Sequence, residues 1–127
     1  MRNGLVRITA GAFLLLGVAA CRLAPVYNVE AHKFATPSAP LSVRAQQIKH
    51  AGTSRGWKMT DVGPGEIRAR LTSGDHVAAV VINFTPSEYA IRYTGSEGLD
   101  YSGGQINKRY NGWVENLEKD IYSESRK

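Results

Sequence analysis

The sequence predicts an α+β fold: a two-layer sandwich in which a four-stranded antiparallel meander carries two helices on one face, in the order α-β-β-β-β-α. Three observations lead there. Apolar residues recur at three- and four-residue intervals over 41–51 and again over 106–121, the mark of amphipathic helices. Between them stand three turn signals, Gly63-Pro64-Gly65, Ser73-Gly74 and Thr85-Pro86, separated by runs of strand-forming residues. Pairing across all three turns gathers one uncharged set on one side of the sheet. A one-residue slip would turn every side chain over, so agreement among independent turns supports the pairing.

The chain opens with Arg2 and Arg7 and continues from Ile8 to Ala20 as a weakly polar to apolar run ending in small residues. That is the layout of a secretory signal. A spanning helix needs about 20 apolar residues, and here polar Arg22 and Asn28 follow instead. Residues 1–20 are therefore expected to be a cleaved export signal. Val18 to Cys21, V-A-A-C, resembles the lipobox of bacterial lipoproteins, in which a small residue precedes a cysteine that is lipidated on sulfur and becomes the mature N-terminus. The resemblance implies diacylglyceryl and fatty-acyl (palmitate) attachment at Cys21 and a membrane as partner. Arg22 stands where enteric lipoproteins retained in the inner membrane carry an aspartate, so the implied destination is the periplasmic face of the outer membrane.

Removing 20 of the 127 residues leaves 107, enough for one small core. The single cysteine is the one assigned to the lipid, so no disulfide is expected and no thiol remains for catalysis or zinc. The formal charge of +5 falls to about +3 once Arg2 and Arg7 are lost. A basic balance of this size suits anionic head groups or envelope polymers, and export argues against nucleic acid.

Residues 21–40 carry Pro25, Pro37 and Pro40 without a sustained period and read as a lipidated N-terminus and linker. Such a linker would span roughly 25 Å when flexible and about 60 Å when extended. His32 falls within it, as a solvated side chain. The folded domain is expected over 41–122. Leu41, Ala45, Ile48 and Ala51 form the apolar stripe of the first helix, with Arg44, Gln46, Gln47 and Lys49 on the other side, Ser42 as N-cap, Gly52 as stop and His50 at its rim.

The first hairpin sets Met59 beside Ala69 and Trp57 beside Leu71. The second sets Ala69 opposite Ala78 and Ile67 opposite Val80. The third brings Ile82 to Tyr89, Val80 to Ile91 and Ala78 to Tyr93. One face then collects Trp57, Met59, Ile67, Leu71, Val80, Ile82, Tyr89, Ile91 and Tyr93. The glycine-rich stretch 94–105 reads as a loop whose Leu99 and Tyr101 fold back to the core rim. It holds neither G-x-G-x-x-G nor a Walker-type lysine. In the last helix Tyr110, Trp113, Val114, Leu117 and Ile121 share a face, with Trp113 and Leu117 as anchors, and Glu115, Glu118 and Asp120 make it unlike a lysine-rich membrane-lying helix. Residues 123–127 read as a polar tail.

Gly56-Trp57, P-G-x-I from Pro64 to Ile67, Y-x-I-x-Y from Tyr89 to Tyr93, S-x-x-L-x-Y from Ser96 to Tyr101 and Y-N-x-W-V from Tyr110 to Val114 resemble small, functionally uncharacterised exported bacterial lipoproteins. The resemblance covers most of 41–122 and implies no catalytic residues.

Catalytic chemistry has little material. The domain histidines His50 and His76 lack H-x-x-x-H spacing, and Glu115 and Glu118 lie on a polar helix face. Neither a metal nor a cofactor is expected. The outer sheet face is more informative. The expected register puts Arg68, Ala79 and Arg92 in one cross-strand row and Arg70 opposite Val77. Two charges two strands apart stand about 10 Å from each other, a span that carboxylates or phosphates of a polymer can bridge. Charged residues also line the solvated side of any antiparallel sheet. Yet Val77, Ala79 and Val81 on the central strand are apolar outward as well, as expected of a covered face. The reading is therefore a lipid-anchored, non-enzymatic periplasmic domain that binds an envelope protein or anionic polymer through Arg68, Arg70 and Arg92. The alternatives are a periplasmic enzyme acting on an envelope component with His76 as base, and a structural homodimer formed through Val77, Ala79 and Val81.

Overall fold

The computed structural model describes residues 22–127. The expected export signal 1–20 and Cys21 lie outside them. The fold is α+β, in the order β1 (Leu23–Pro25), β2 (Val29–Lys33), α1 (Leu41–Ser54), β3 (Lys58–Gly63), β4 (Glu66–Ser73), β5 (His76–Phe84), β6 (Glu88–Glu97), β7 (Gln105–Asn107) and α2 (Lys108–Glu124). The expected meander β3 to β6 is present, but the sheet has five strands, not four. Its order is β2-β6-β5-β4-β3, and a separate two-stranded sheet joins β1 to β7. All pairings are antiparallel.

The linker expected over 21–40 is thus corrected from Leu23 onward. Val29 and Phe34 are buried in the core, and β2 fills the free edge of β6. Hydrogen bonds fasten this stretch, residues 22–40, as a strap across the fold. Asn111 on α2 accepts from the Tyr27 N–H and donates to the Pro25 carbonyl, each at 2.9 Å. The Asn28 side chain accepts from the Tyr93 N–H at 2.9 Å, and the Phe34 N–H donates to the Ser87 carbonyl at 3.1 Å.

The first hairpin has the expected register, Met59 opposite Ala69, with Gly65 at φ 75°. A Cβ on Gly65 would stand 2.6 Å from the Phe84 carbonyl oxygen, so the turn needs glycine for space as well as for φ. The next two registers differ from expectation by two residues each, the second as far as Val80 and by three beyond it, where Ala78 pairs with Ser96. Ile67 pairs with Ile82 and Ala69 with Val80, because the turn is Gly74-Asp75. Phe84 pairs with Tyr89 and Ile82 with Ile91, because the turn is Pro86-Ser87, closed by Thr85 Oγ1 accepting from the Ser87 and Glu88 N–H groups at 3.2 and 3.1 Å. An even shift leaves the side chains short of the Ala79–Val80 bulge on their expected faces. Ile67, Val80, Ile82, Tyr89 and Ile91 are buried accordingly. β6 also runs on through Glu97, so part of the expected loop is strand, with a bulge opposite Ala79 and Val80.

Helix α1 begins after Pro40 without a side-chain cap, so Ser42 is not its N-cap. It passes through Gly52, which lies under the Met59 side chain, and stops two residues before Gly56 at φ 89°. There the Trp57 N–H returns to the Gly52 carbonyl and that of Gly56 to Thr53, a Schellman closure. Arg44, expected on the solvent side, is buried. Helix α2 starts behind Asn107, whose side chain accepts from the Arg109 N–H at 3.0 Å, and continues past the expected end into the supposed tail. Ser125 there is buried and its Oγ accepts from the Ala35 N–H at 2.8 Å. Leu117 is the buried anchor foreseen, whereas Trp113 is half-buried and the enclosed tryptophan is Trp57.

Both helices bury Ile48, Ala51, Tyr110, Val114, Leu117 and Ile121 against the inner sheet face in one core. Among the described residues no helix is long and apolar enough to cross a membrane.

Candidate functional site

Alternation away from the core directs Arg68, Arg70, Ala79, Val81, Arg92 and Thr94 to the outer face of the sheet. The register sets Arg68 and Arg92 on either side of Val81, not Ala79. Arg70 lies opposite Ala79, not Val77. β3 adds Lys58 opposite Arg70 and Thr60 opposite Arg68. Together Lys58, Thr60, Arg68, Arg70, Ala79 and Thr94 line a shallow depression of about 340 Å³. Lys58 is the residue missed from sequence, although its alternation with Met59 across the first hairpin already pointed it outward.

The three arginines differ in their partners. Arg70 Nη2 donates to Glu97 Oε2 at 3.1 Å, and Arg92 Nη2 to Glu30 Oε2 at 3.1 Å. Both pairs are well exposed, so solvent and salt screen them and neither charge is committed to the fold. Arg68 has no ion pair with any described residue. Arg92 lies in a different hollow of about 250 Å³, with Glu30, Asn83 and Glu88 on its walls. The structure therefore brings Arg68 and Arg70 together with Lys58 in one hollow and sets Arg92 in the other, while Arg70 and Arg92 each have one exposed acid beside them. Val77, Ala79 and Val81 are half-buried and stand outside the core cluster.

The histidines occupy three distinct settings. His76 meets the Trp113 ring edge-on at 6.5 Å between centroids and bonds to no described carboxylate. His50 Nδ1 lies 3.0 Å from Glu124 Oε1 at the surface. A hydrogen bond from Lys127, reinforced by His50, holds the Glu124 carboxyl below the usual carboxylate range. His32, expected to be solvated, is the one built into the structure. Its Nδ1 lies 2.8 Å from the Lys33 carbonyl, its Nε2 faces Glu118 Oε2 at 3.8 Å, and its ring stacks on Tyr89 at 5.2 Å.

Glu118 also accepts from the Tyr27 hydroxyl at 2.7 Å, and its backbone carbonyl accepts from the Tyr89 hydroxyl at 2.8 Å. The bond to Glu118, with burial adding to it, pushes the Tyr27 phenol up to about 12. Burial, then the Glu118 charge, raises Tyr89 further still. This cluster borders an open hollow of about 540 Å³ with Lys119, Tyr122 and Ser123. Tyr27 and His32 tie the N-terminal strap to Glu118 on α2, and Tyr89 ties β6 to the same turn, so the chemistry of the cluster is that of a clasp. Among the described residues no group of three His, Cys, Asp or Glu side chains is placed to hold a metal ion.

No family model matches this chain, and a search of curated proteins finds no match either.

Proposed function

We propose that this protein is a lipid-anchored binding domain of the bacterial envelope, exported by residues 1–20, lipidated on Cys21 and held on the periplasmic face of the outer membrane. Its outer sheet face recognises an anionic group of an envelope protein or polymer. The observation that carries this reading is Arg68: an exposed guanidinium without an acidic partner among the described residues, with Arg70 two residues along β4 and Lys58 diagonally across on β3 in the same shallow depression. Neighbouring like charges repel, and an incoming carboxylate or phosphate relieves that repulsion while accepting two parallel N–H bonds from a guanidinium. Arg70 can exchange its screened bond to Glu97 for the same ligand. Arg92 lines the neighbouring hollow beside the strap instead, so the recognition site is Lys58, Arg68 and Arg70.

Sedimentation of the purified chain with isolated cell-wall sacculi over a range of salt tests the site. Replacing Arg68 and Arg70 with alanine should weaken binding by about 10- to 100-fold, since each charge-assisted bond is worth about 1.5–3 kcal/mol and some of that is screened at the surface. It should also flatten the salt dependence. Arg92→Ala should leave binding near wild type. Equal loss in both variants would remove the site, and a dimer at micromolar concentration that Val81→Glu dissociates would move the reading to homodimerisation through Val77, Ala79 and Val81.

The anchor is tested by intact mass. Wild type should carry a diacylglyceryl increment and Cys21→Ser none, because the serine variant has no thiol on which the thioether could form. Wild type without the increment would end the lipoprotein reading.

A further inference from the structure

The strap changes what a lipid at Cys21 would do. With a linker of 21–40 the domain would stand off from the bilayer. Instead Arg22, covalently next to Cys21, already has its carbonyl bonded to the Lys108 N–H at 3.1 Å, and Leu23 is paired with Asn107. One residue spans at most about 3.6 Å, so the folded body begins within that reach of the proposed attachment point.

The body is unusual at that place. Lys108 and Arg109 open α2, whose first turn contains no acid. A helix N-terminus carries partial positive charge, and cations there are disfavoured. Arg22, Lys108 and Arg109 are all exposed, and none forms an ion pair with a described residue. Asp100 is the sole acid on the adjoining loop 98–104, and the first acid of α2 is Glu115, two turns in. The same loop presents Tyr101, 48% exposed with its ring stacked on Tyr93 at 4.4 Å, an amphipathic ring of the kind favoured at head-group level.

We propose that this end of the domain, with Arg22, Lys108, Arg109 and Tyr101 at its surface, lies against anionic phospholipid head groups and holds the domain in one orientation on the bilayer. The occupant is a membrane because the lipidated residue is one bond away and the surface charge has the complementary sign. The inference rests on the lipid at Cys21 and adds to it: the lipid sets the residence time, and the cations set the pose. The 85–88 turn and Ser38 then point away from the bilayer, since β6 and β5 run from that turn to the anchored end, where Gly98 packs on the Asp75 carbonyl.

Hydrogen exchange on the full matured chain, reconstituted in vesicles of phosphatidylcholine alone or with about 30% phosphatidylglycerol, tests the pose. Amides of 98–112 should gain protection only in the anionic vesicles, and amides of 85–90 in neither. Protection should fall as salt rises towards about 0.5 M, because screening shortens the reach of surface charge. The variant Arg22→Ala/Lys108→Ala/Arg109→Ala should lose the protection. It should unfold at the same or a higher denaturant concentration, since two of the three charges oppose the helix dipole. Protection of 98–112 that is equal in both vesicles, or that survives in the triple variant, overturns the proposal.

Intact mass separates the two failures. If Cys21 carries no lipid, the anchor reading fails on that measurement alone. The face is then judged by sedimentation of the same chain with anionic vesicles. Each cation near such a surface is worth about fivefold in partition, so the triple variant should bind on the order of a hundredfold more weakly. An unlipidated wild type that binds no better than the variant overturns the face as well.

Discussion

The seam at Arg44 and the outer face around Arg68 use the same side chain in opposite ways. Arg44 is fully buried, its Nε donating to the Pro86 carbonyl and its Nη2 to the Thr36 carbonyl, each at 2.9 Å, while Nη1 reaches Gln47 at 3.1 Å and the guanidinium lies 4.0 Å over the Phe34 ring. No carboxylate pairs with it among the described residues; desolvation lowers its pKa, and backbone oxygens and an aromatic face replace water. It joins the strap, α1 and the β5–β6 turn at one point. Arg68 is exposed, adjoins other cations and has no acid. The difference teaches that sign and residue type do not tell structural charge from recognition charge; what surrounds the guanidinium does.

The largest test of that contrast removes the seam. Arg44→Ala opens a cavity and leaves the Thr36 and Pro86 carbonyls without their donor, which should cost about 3–5 kcal/mol in denaturant unfolding. Arg44→Lys should recover only part, because an ammonium cannot fork to both carbonyls. An Arg44→Ala midpoint equal to wild type would mean the seam contributes nothing.

The clasp on the other side of the strap should respond to alkali. A raised folded-state value means the neutral phenol is favoured in the native protein, so the Tyr27 contribution is complete below about 10 and is lost as pH rises from there through about 12. Unfolding free energy should decline over that window, less steeply in Tyr27→Phe. A slope unchanged by that substitution would assign the decline to Tyr89 and Tyr110 alone.

Tyr110 marks the exception inside the core. Its hydroxyl is buried without a described partner, and burial raises its pKa. Removing the hydroxyl in Tyr110→Phe should leave stability unchanged or raise it by about 1 kcal/mol, and a loss of that size would reveal a partner for the hydroxyl. Smallest of all, Arg68→Ala/Arg70→Ala should shift unfolding by less than about 0.5 kcal/mol, as exposed sites do. A larger loss would make the outer arginines structural, like Arg44, and erase the contrast.

The inner face was legible because a period-two pattern tolerates an error of register. Ile67 meets Ile82 in place of Val80, yet period-two alternation keeps both inside under an even shift. β2 was not legible: V-E-A-H-K buries one residue of five, and Val29 becomes strand by completing the edge of β6 at Ile91. With β2 unseen, neither the Arg92–Glu30 pair nor the His32–Glu118 contact could be read. Arg44 misled for a related reason. A charge within a helical stripe is assigned to solvent unless distant carbonyls are known to converge on it, and those come from Thr36 and Pro86. Lys58 was legible and simply belonged to the same alternation that placed Arg68.

A chain made from its N-terminus delivers the strap before the rest of the described fold and the strap's partners last. β1 can pair only after Gln105–Asn107 has emerged, β2 only after β6, and Ser125 must arrive before it can meet Ala35. The meander β3 to β6 closes through short turns and needs no such wait. Among the described residues the earliest to appear are thus the final ones to settle, and until they do, the edge of β6 stays open to strands from other molecules.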